Sequence, residues 1–365
     1  MSNLRIGIVG GGQPTVWGAR VHAPAWRALK GIEITAVCTS REETAREAAK
    51  RMDIPHAFWD FGEMARAPYV DLVCVAVRAG LHEQVVMAAV EAKKHVFCEW
   101  PLALDGDQAA RMAKAVKAAG VTHGVGTQGR YSPSLMYARD LVAQGAIGQP
   151  LVFAMTMLSP RAVVPRPADK WWVPHVEEGG SGLIIGCGHA TDALRMVIGE
   201  IDSVCGRVQV LQKETRVEGQ DKPTITTSPD TVSYLARLSN GAEGTVNFTY
   251  FAWHGEGWRL DVYGKEGRLL LTSKDLAQMG PAAITLGKKG GKMEQMAVPV
   301  QYHWITNVDL NSNVYNVAQE FSRFLPTIGK PGAFHNNFDD AVALHLVLDA
   351  IDRSSSSGKW ERVTQ

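Results

Sequence analysis

The stretch LRIGIVGGG at residues 4–12 decides the fold of this chain. Its first six residues form a largely apolar run, which is typical of a buried strand, and three consecutive glycines follow directly. From about residue 19 to residue 29 the apolar residues return with helical spacing. A buried strand, a glycine-rich turn and a helix in this order predict the first unit of a parallel α/β sheet.

Short apolar strands continue to alternate with helices through the first third of the chain. Strands are predicted at residues 34–38 and 70–77, and helices at 42–51 and 82–92. This alternation is typical of a doubly wound parallel sheet, so we predict a Rossmann domain over residues 1–126. Ligands of such sheets bind at the carboxyl ends of the strands.

The pattern changes after about residue 127, where long runs of alternating residues are separated by turn signals such as Asn240-Gly241. Such runs predict an antiparallel sheet. We therefore predict a C-terminal α+β domain over residues 127–365, with a large, mostly antiparallel sheet, that binds substrate and mediates oligomerisation. The predicted strands lie at residues 151–157, 204–212, 230–238, 244–252, 258–264 and 268–272, and the predicted helices at 134–144, 190–198, 313–324 and 338–353.

The composition limits the classes of partner. Of 365 residues 45% are hydrophobic and 21% charged, with 38 Lys and Arg against 37 Asp and Glu. This balance, without a basic stripe, argues against nucleic acid and membrane surfaces as partners. The N-terminal residues lack a signal-type apolar region, so we expect a cytoplasmic protein. The five cysteines are scattered and the histidines lack ligand spacing, so we expect reduced thiols and no metal. The serine run 354–357 is expected to be a frayed tail.

The glycine loop is a candidate dinucleotide site, because glycine lets backbone N–H groups approach a pyrophosphate. Gly10 and Gly12 fit the first two positions of the usual spacing. The third position falls at Thr15, and the chain instead has Gly18 after a longer loop. Glycine turns after strands are also common structural turns. After the first strand of a Rossmann pattern, however, the loop predicts cofactor contacts from Gly10, Gly12 and Gln13.

The end of the second predicted strand bears on the choice of cofactor. An acidic residue there would bind the ribose hydroxyls of NAD(H), but this chain has Thr39-Ser40-Arg41. A hydroxyl and a guanidinium suit a 2′-phosphate, so Ser40 and Arg41 favour NADP(H), with NAD(H) possible. The alternative is that Arg41 only opens a solvent-facing helix.

Four segments together resemble the glucose-fructose oxidoreductase and inositol dehydrogenase (Gfo/Idh/MocA) family over nearly the whole chain. They are the strand at residues 71–77, His82 after it, the HVFCE-x-P strand at 95–101, and GHATD at 188–192. Within the family the chain is similar to the branch that contains the yeast galactose-regulon repressor. That branch shares the long glycine loop, a tryptophan after the glutamate, and a segment like QGRYSP at residues 128–133. The resemblance implies further cofactor contacts from Val77, His82, Glu99 and Gln128.

The resemblance also identifies three positions that carry proton chemistry in family dehydrogenases. These are the lysine after the glutamate, a histidine, and an aspartate four residues before that histidine. This chain has Trp100, His189 and Ile185 there. An indole neither holds nor shuttles a proton, so only His189 is a candidate proton acceptor, whereas Trp100 is a candidate for stacking on substrate. The alternative is that His189 caps the helix that follows it.

Other polar residues are candidates for the substrate site. Tyr131 is a candidate catalytic hydroxyl or substrate ligand, and Arg130 is a candidate ligand of an anionic or hydroxylated group. Asp192 either orients the imidazole or pairs with Arg195. Ordinary packing at a domain junction is the alternative for Arg130 and Tyr131.

The segment at residues 170–175 is unusually aromatic for a loop. Aromatic faces are platforms for the apolar faces of sugar rings, so we predict a substrate wall here. Core or subunit packing is the alternative. The substrate-binding residues predicted in this segment are Lys170, Trp171, Trp172 and His175.

Three functions are compatible with these features. The first is an NAD(P)-dependent oxidoreductase that acts on a hydroxyl of a sugar, a sugar derivative or another cyclic alcohol or hemiacetal, with a site that lacks the family lysine. The second is a non-catalytic, cofactor-binding sensor or regulator. The third is redox-cycled elimination or glycoside cleavage. We favour the first, and we expect a homodimer or homotetramer because one face of the second sheet is free to bury against another subunit.

Overall fold

The computed structural model describes residues 3–364, and the chain divides into two compact units. The first unit runs to Thr127 and also contains residues 177–179 and 305–342, and the remaining residues form the second. The predicted boundary at residue 126 therefore falls one residue from the first division. The segment 305–342, which we placed in the second domain, packs within the first unit, where Phe321 stacks on Trp26 with ring centroids 3.8 Å apart.

The first unit contains a six-stranded parallel sheet, which confirms the predicted Rossmann fold. The strands are β1 (Leu4–Val9), β2 (Ile32–Cys38), β3 (His56–Phe58), β4 (Leu72–Val75), β5 (His95–Glu99) and β6 (His123–Gly126). Their order is β3-β2-β1-β4-β5-β6. β2 and β3 are added on one side of β1, and β4 to β6 on its other side, so the order of the strands reverses between β1 and β4. Open parallel sheets bind ligands outside the carboxyl ends of the strands at such a reversal.

The α-helices within the described residues are α1 (Ala23–Arg27), α2 (Glu42–Met52), α3 (Phe61–Arg66), α4 (His82–Glu91), α5 (Gly106–Ala119), α6 (Pro133–Ala143), α7 (Gly188–Ile198), α8 (Asn313–Phe324) and α9 (Phe338–Ser357). Local sequence sets their ends. Before α5, the Asp105 carboxylate accepts from the Gln108 N–H at 2.7 Å, and the helix stops at Gly120, where φ is 67°.

Two of the helices are entered through a π-helical turn. The turn Gly18–His22 precedes α1, and the turn Leu183–Cys187 precedes α7. A π-turn inserts one residue into the helical repeat, and such insertions are frequent at functional sites. Both turns follow segments that the sequence singles out, namely the glycine loop and the glycine-rich segment before His189.

The second unit is built on a nine-stranded sheet, in the order β16-β15-β14-β13-β7-β12-β11-β8-β17. Among the described strands of this sheet only β7 and β12 pair in parallel, so the prediction of a mostly antiparallel sheet is confirmed. Strands β15, β16 and β17 were missed by the sequence analysis. In chain order the strands are β7 (Pro150–Leu158), β8 (Ile201–Gln209), β9 (Glu214–Thr215), β10 (Thr224–Ile225), β11 (Thr231–Leu238), β12 (Glu243–Thr249), β13 (Gly257–Gly264), β14 (Gly267–Ser273), β15 (Ala283–Lys288), β16 (Met293–Met296) and β17 (Glu361–Arg362), with β9 and β10 forming a separate pair.

One face of this sheet is buried and the other is open. Along β11, Tyr234 is buried while Leu235 is exposed, as a period of two requires. The exposed face also carries Val152 and Tyr263, which are register partners on β7 and β13. The observed alternation therefore leaves apolar side chains on a surface of the second unit.

The serine run at residues 354–357 is not a frayed tail, and that prediction was wrong. It forms the last turn of α9, and Ser354 is fully buried. The Ser354 hydroxyl accepts from the Gly206 N–H at 2.9 Å and donates to the Lys359 carbonyl oxygen at 2.6 Å. Ser355 similarly accepts from the Val208 N–H at 2.9 Å. Serine hydroxyls thus satisfy backbone groups of β8, which a polar composition alone does not reveal.

Candidate active site

The glycine loop after β1 has a backbone that other residues do not allow. Gly10 adopts φ 109°, and a Cβ atom there would collide with the Ala76 carbonyl oxygen. A Cβ on Gly18 would collide with the Gly10 carbonyl oxygen. Gly18 therefore provides the close packing of helix on strand that the usual motif obtains from its third glycine, although the loop is longer.

The loop fits a dinucleotide. Around a Cβ at Gly12 only Thr39 comes within 4 Å, at 3.7 Å, so its backbone has room for a close approach by a ligand. Gln13 is exposed beside it. Trp17 Nε1 is buried in the same loop and has no hydrogen-bond partner among residues 3–364. Open backbone and an unsatisfied donor are what a pyrophosphate site requires.

Ser40 and Arg41 lie at the carboxyl end of β2, and both are exposed. The neighbouring Thr39 hydroxyl is 2.7 Å from the Thr44 hydroxyl, which fixes the start of α2. Arg41 is the N-cap residue of α2 but makes no side-chain cap hydrogen bond. Its guanidinium is therefore accessible to a ligand, and the geometry is equally compatible with a solvent-facing role.

His82 ties together two turns of the first unit. Its Nε2 lies 3.0 Å from the Val77 carbonyl oxygen and its Nδ1 lies 2.9 Å from the Pro101 carbonyl oxygen. Burial lowers the pKa of His82, although both carbonyls favour its charged form. Because both ring nitrogens face backbone, His82 positions the turns after β4 and β5. The predicted cofactor contacts of Val77 and His82 stay predictions.

A buried chain of three polar groups, missed by the sequence analysis, lies under the end of β5. His22 Nε2 is 2.5 Å from Glu99 Oε1, and His22 Nδ1 is 2.9 Å from Cys74 Sγ. Burial alone would lower the pKa of His22, but Cys74 and Glu99 together raise it to about 10. The raised pKa favours the imidazolium form of His22 beside Glu99. The available signal was a histidine on the buried face of the first helix, beside Val21 and Trp26.

Trp100 follows Glu99 and is only 4% exposed. The next residues, Leu102 and Ala103, are fully buried. Trp100 is thus a large, packed, apolar side chain, and its correspondence to the family lysine stays a prediction. Its predicted contact with substrate stays a prediction.

His189 is the second residue of α7 in the second unit and is 7% exposed. Gly186 in the preceding π-turn lies against the ring of Phe248 and the hydroxyl of Tyr250, since a Cβ there would collide with both. Ile185 is half-buried in the same turn. The turn thus holds the start of α7 closely against the end of β12.

Asp192, one turn after His189, is the partner of Arg130. Arg130 Nε lies 3.0 and 2.9 Å from the two carboxylate oxygens, and its NH2 lies 2.7 Å from Oδ1. Arg195 approaches Asp192 only to 3.8 Å and bonds Glu200 at 2.7 Å instead. The two alternatives for Asp192 both omitted Arg130, whose bidentate pair uses this carboxylate. The pair also engages Arg130, which we expected to bind substrate.

Gln128 and Tyr131 belong to one short turn before α6. Gln128 is buried, and its Oε1 has no hydrogen-bond partner among the described residues. Tyr131 is half-buried, with its ring edge-on to Trp304 at 6.5 Å between centroids. An unsatisfied amide oxygen is consistent with a ligand contact at Gln128.

The aromatic segment at residues 170–175 is an ordered loop with partly exposed rings. Trp171 is 40% exposed and its ring lies 6.3 Å from that of His175, while Trp172 and Lys170 are half-buried. The Pro174 carbonyl oxygen accepts from the N–H groups of Thr227 and Ser228, which fixes the loop. A substrate wall at this segment stays a prediction.

Two negative findings apply to residues 3–364. No group of three or more His, Cys, Asp or Glu side chains is arranged to hold a metal ion. No helix in this range has both the length and the apolarity needed to cross a membrane.

A Rossmann unit with a glycine turn, joined to a unit with a mixed sheet, defines a two-domain oxidoreductase that uses a nicotinamide cofactor. The chain belongs to the Gfo/Idh/MocA family. The family's oxidoreductase domain, described as an NAD-binding Rossmann fold, matches residues 4–127, and its C-terminal domain matches residues 135–270.

Relatives in this family include enzymes and a regulator. The chain is 26% identical to levoglucosan dehydrogenase of Pseudarthrobacter phenanthrenivorans, over 100% of the chain and 99% of that protein. It is 32% identical to the galactose/lactose metabolism regulatory protein of Saccharomyces cerevisiae, over 40% of the chain and 35% of that protein. A solved structure of levoglucosan dehydrogenase with NADH and levoglucosan has the same fold, with a TM-score of 0.88, full coverage of both chains and 24% identity.

Proposed function

We propose that this protein is an NAD(P)-dependent dehydrogenase acting on a hydroxyl of a sugar, a sugar derivative or another cyclic alcohol or hemiacetal. The observation that supports it most is His189, a nearly buried imidazole held at the start of α7 by a close-packed turn. The full-length similarity to a levoglucosan dehydrogenase points to the same substrate class.

His189 takes the proton of the reacting hydroxyl. A nicotinamide cofactor, when bound, supplies the hydride acceptor or donor. An imidazole changes protonation near neutral pH, so it accepts a proton on oxidation and returns it on reduction. Trp100 and Ile185 are apolar and neither can move a proton, which leaves His189 as the proton acceptor in this proposal. Substrates with an acidic hydroxyl, such as a hemiacetal, suit a site with one proton acceptor.

The residues of the first unit that would hold the cofactor are those of the glycine loop, with Glu99 fixed beneath them by His22. We extend the proposal to NADP(H) in preference to NAD(H), since Ser40 and Arg41 are exposed at the end of β2. Arg41→Ala tests this. Titration of both reduced cofactors by fluorescence is expected to show a selective loss of NADPH affinity, and an unchanged preference would remove the role of Arg41.

The experiment for the main proposal is a turnover assay with levoglucosan, cyclic polyols and lactols, using both cofactors and reduced-nicotinamide absorbance. His189→Ala is expected to lower kcat by roughly 10²- to 10⁴-fold, the usual contribution of a general base. His335→Ala, an exposed histidine of the first unit, is the matched control and should leave kcat unchanged. Undiminished activity in His189→Ala would contradict the assignment of the base.

A regulatory function is the second candidate. It is favoured by the similarity to the yeast regulatory protein together with the apolar residues Trp100 and Ile185. Tight cofactor binding without turnover on any substrate of the assay would support it against the dehydrogenase.

We further propose that a second copy of this chain covers the open face of the nine-stranded sheet, giving a homodimer or homotetramer. Leu235, Val152 and Tyr263 are exposed on that face. Sedimentation of the wild type and of Leu235→Glu tests this. A wild-type monomer, or a variant with unchanged assembly, would contradict it.

The cytoplasmic location stays a prediction.

A further inference from the structure

A group of polar residues outside the predicted site lies at one edge of the second unit's sheet. β7 and β12 are parallel neighbours, so their carboxyl ends meet at the same edge. Tyr250 directly follows β12, and Arg161 and Arg166 follow β7. The Ala162 N–H donates to the Tyr250 carbonyl oxygen at 2.8 Å, which holds the two segments together.

The Tyr250 hydroxyl lies against the turn that carries His189. It touches Gly186, the residue one turn before His189, closely enough to leave no room for a Cβ. Its ring packs edge-on against Phe248, with centroids 4.7 Å apart. The hydroxyl has no hydrogen-bond partner among residues 3–364. Burial raises the pKa of Tyr250 to about 12, so it is a neutral donor at physiological pH.

Arg166 is a half-buried cation that forms no ion pair with another residue among 3–364. Its Nε is inaccessible to water and bonded to nothing among the described residues. Arg161, by contrast, pairs with Asp275 at 2.7 Å. The nearby Asp230 accepts from the N–H groups of Leu211 at 3.0 Å and Gln212 at 2.7 Å, so its oxygens are already engaged. Burial, with Arg161 beside it, lowers the pKa of Arg166.

A partly buried guanidinium whose Nε lacks a partner is costly, and one anion would satisfy it while accepting from the half-buried Tyr250 hydroxyl beside it. A guanidinium presents parallel N–H donors that match the two oxygens of a carboxylate or phosphate. The phenol adds a third donor. Because Gly186 and His189 are separated by about one helical turn, roughly 5 Å of rise, an anion here lies within reach of the other end of a monosaccharide.

We propose that Arg166 and Tyr250 form a subsite for an oxyanion, so that the substrate is an acidic sugar, either a sugar carboxylate or a sugar phosphate. The proposal names the substrate class of the dehydrogenase and in that respect rests on the proposed function. The binding it describes is measurable without turnover.

The test is calorimetric titration of the full-length, cofactor-loaded protein with D-glucuronate, D-glucose 6-phosphate and D-glucose. One of the two anions is expected to bind at least about 10-fold more tightly than glucose, as charged hydrogen bonds do. Whichever anion binds more tightly identifies the group. Arg166→Leu should remove that preference and leave glucose affinity unchanged, and Arg166→Lys should retain part of it. Arg207→Leu, an exposed arginine on β8, is the control and should bind like the wild type.

Equal affinity for all three ligands in the wild type would overturn the subsite, as would an equal loss for all three in Arg166→Leu. If Arg166→Leu does not fold, Tyr250→Phe replaces it, with an expected loss of about 3- to 10-fold in anion affinity alone. Anion preference without any turnover would overturn the dehydrogenase and leave the subsite. Turnover of neutral sugars without anion preference would overturn the subsite and leave the dehydrogenase.

Discussion

His22 Nε2 lies 2.5 Å from Glu99 Oε1, and the His22 side chain is completely removed from solvent. The glutamate that precedes Trp100 is therefore one half of a buried ion pair. A carboxyl group held in this way has a fixed direction, because one of its oxygens is engaged by a buried ring within the first unit.

Because the pKa of His22 is raised in the folded protein, we expect the free energy of unfolding to fall as the pH becomes alkaline. Because the folded-state pKa of about 10 exceeds the ordinary value of 6.5, the contribution is full below pH 6.5. It declines as the pH rises from 6.5 towards 10. Urea unfolding across this range should show a steeper fall in the free energy of unfolding for the wild type than for His22→Gln. The exposed His335→Gln should follow the wild type, and parallel curves for wild type and His22→Gln would contradict the charge assignment.

Substitution of Gly10 should lower the stability of the protein, whereas substitution of Gly12 should lower its affinity for the cofactor. Gly10→Ala is expected to destabilise the protein by about 1–3 kcal/mol, because φ is 109° and the Cβ collides with backbone. Gly12→Ala meets only ordinary contact at 3.7 Å, so stability should be retained while NADH affinity falls. Urea unfolding and NADH fluorescence titration measure the two effects. A stable Gly10→Ala would show that the loop is not fixed as described.

The bidentate pair between Arg130 and Asp192 should be strongly coupled. Asp192→Leu removes the carboxylate that pairs with a largely buried guanidinium, which costs about 3–5 kcal/mol of unfolding free energy. The double variant Arg130→Leu with Asp192→Leu should recover much of that loss. Arg139→Ala, which removes an exposed pair with Asp140, should change stability by less than about 1 kcal/mol. Additive effects in the double-mutant cycle would show that the pair contributes no coupling.

In the last turn of α9, we expect substitution of one serine to lower the stability of the protein and substitution of another to leave it unchanged. Ser354→Ala removes a buried hydroxyl that bonds Gly206 and Lys359, and we expect a loss of about 1–3 kcal/mol. Ser356→Ala changes an exposed side chain and should have almost no effect. Thermal unfolding of the two variants makes the comparison. Equal stability would restore the view of this segment as a tail.

The sequence predicts best where the signal is local. β1 begins and ends at Leu4 and Val9 and α8 at Asn313 and Phe324, as predicted, because hydrophobic periodicity and turn residues set these limits within a short window. The parallel sheet of the first unit was likewise predicted from the alternation of strands and helices, whereas the order of its strands was not.

The site is harder to predict because its partners are distant in sequence. His22 is separated from Glu99 by 77 positions, and Arg130 from Asp192 by 62. Periodicity carries no information about such pairs, which arise only when the sheet or the helices bring them together. Arg166 was missed for a different reason, since its distinguishing property is an Nε without a hydrogen-bond partner among the described residues.

The π-turn Leu183–Cys187 determines how the residues before α7 are rotated about the helix axis relative to α7 itself. It adds one residue to the helical repeat between Tyr250's neighbour Gly186 and the body of α7. Deleting that residue would turn everything upstream by roughly 100° relative to α7. Gly186 would then leave the Tyr250 hydroxyl while His189 kept its place. A single-residue length change in this turn would therefore alter the placement of Tyr250 relative to His189 without changing either side chain.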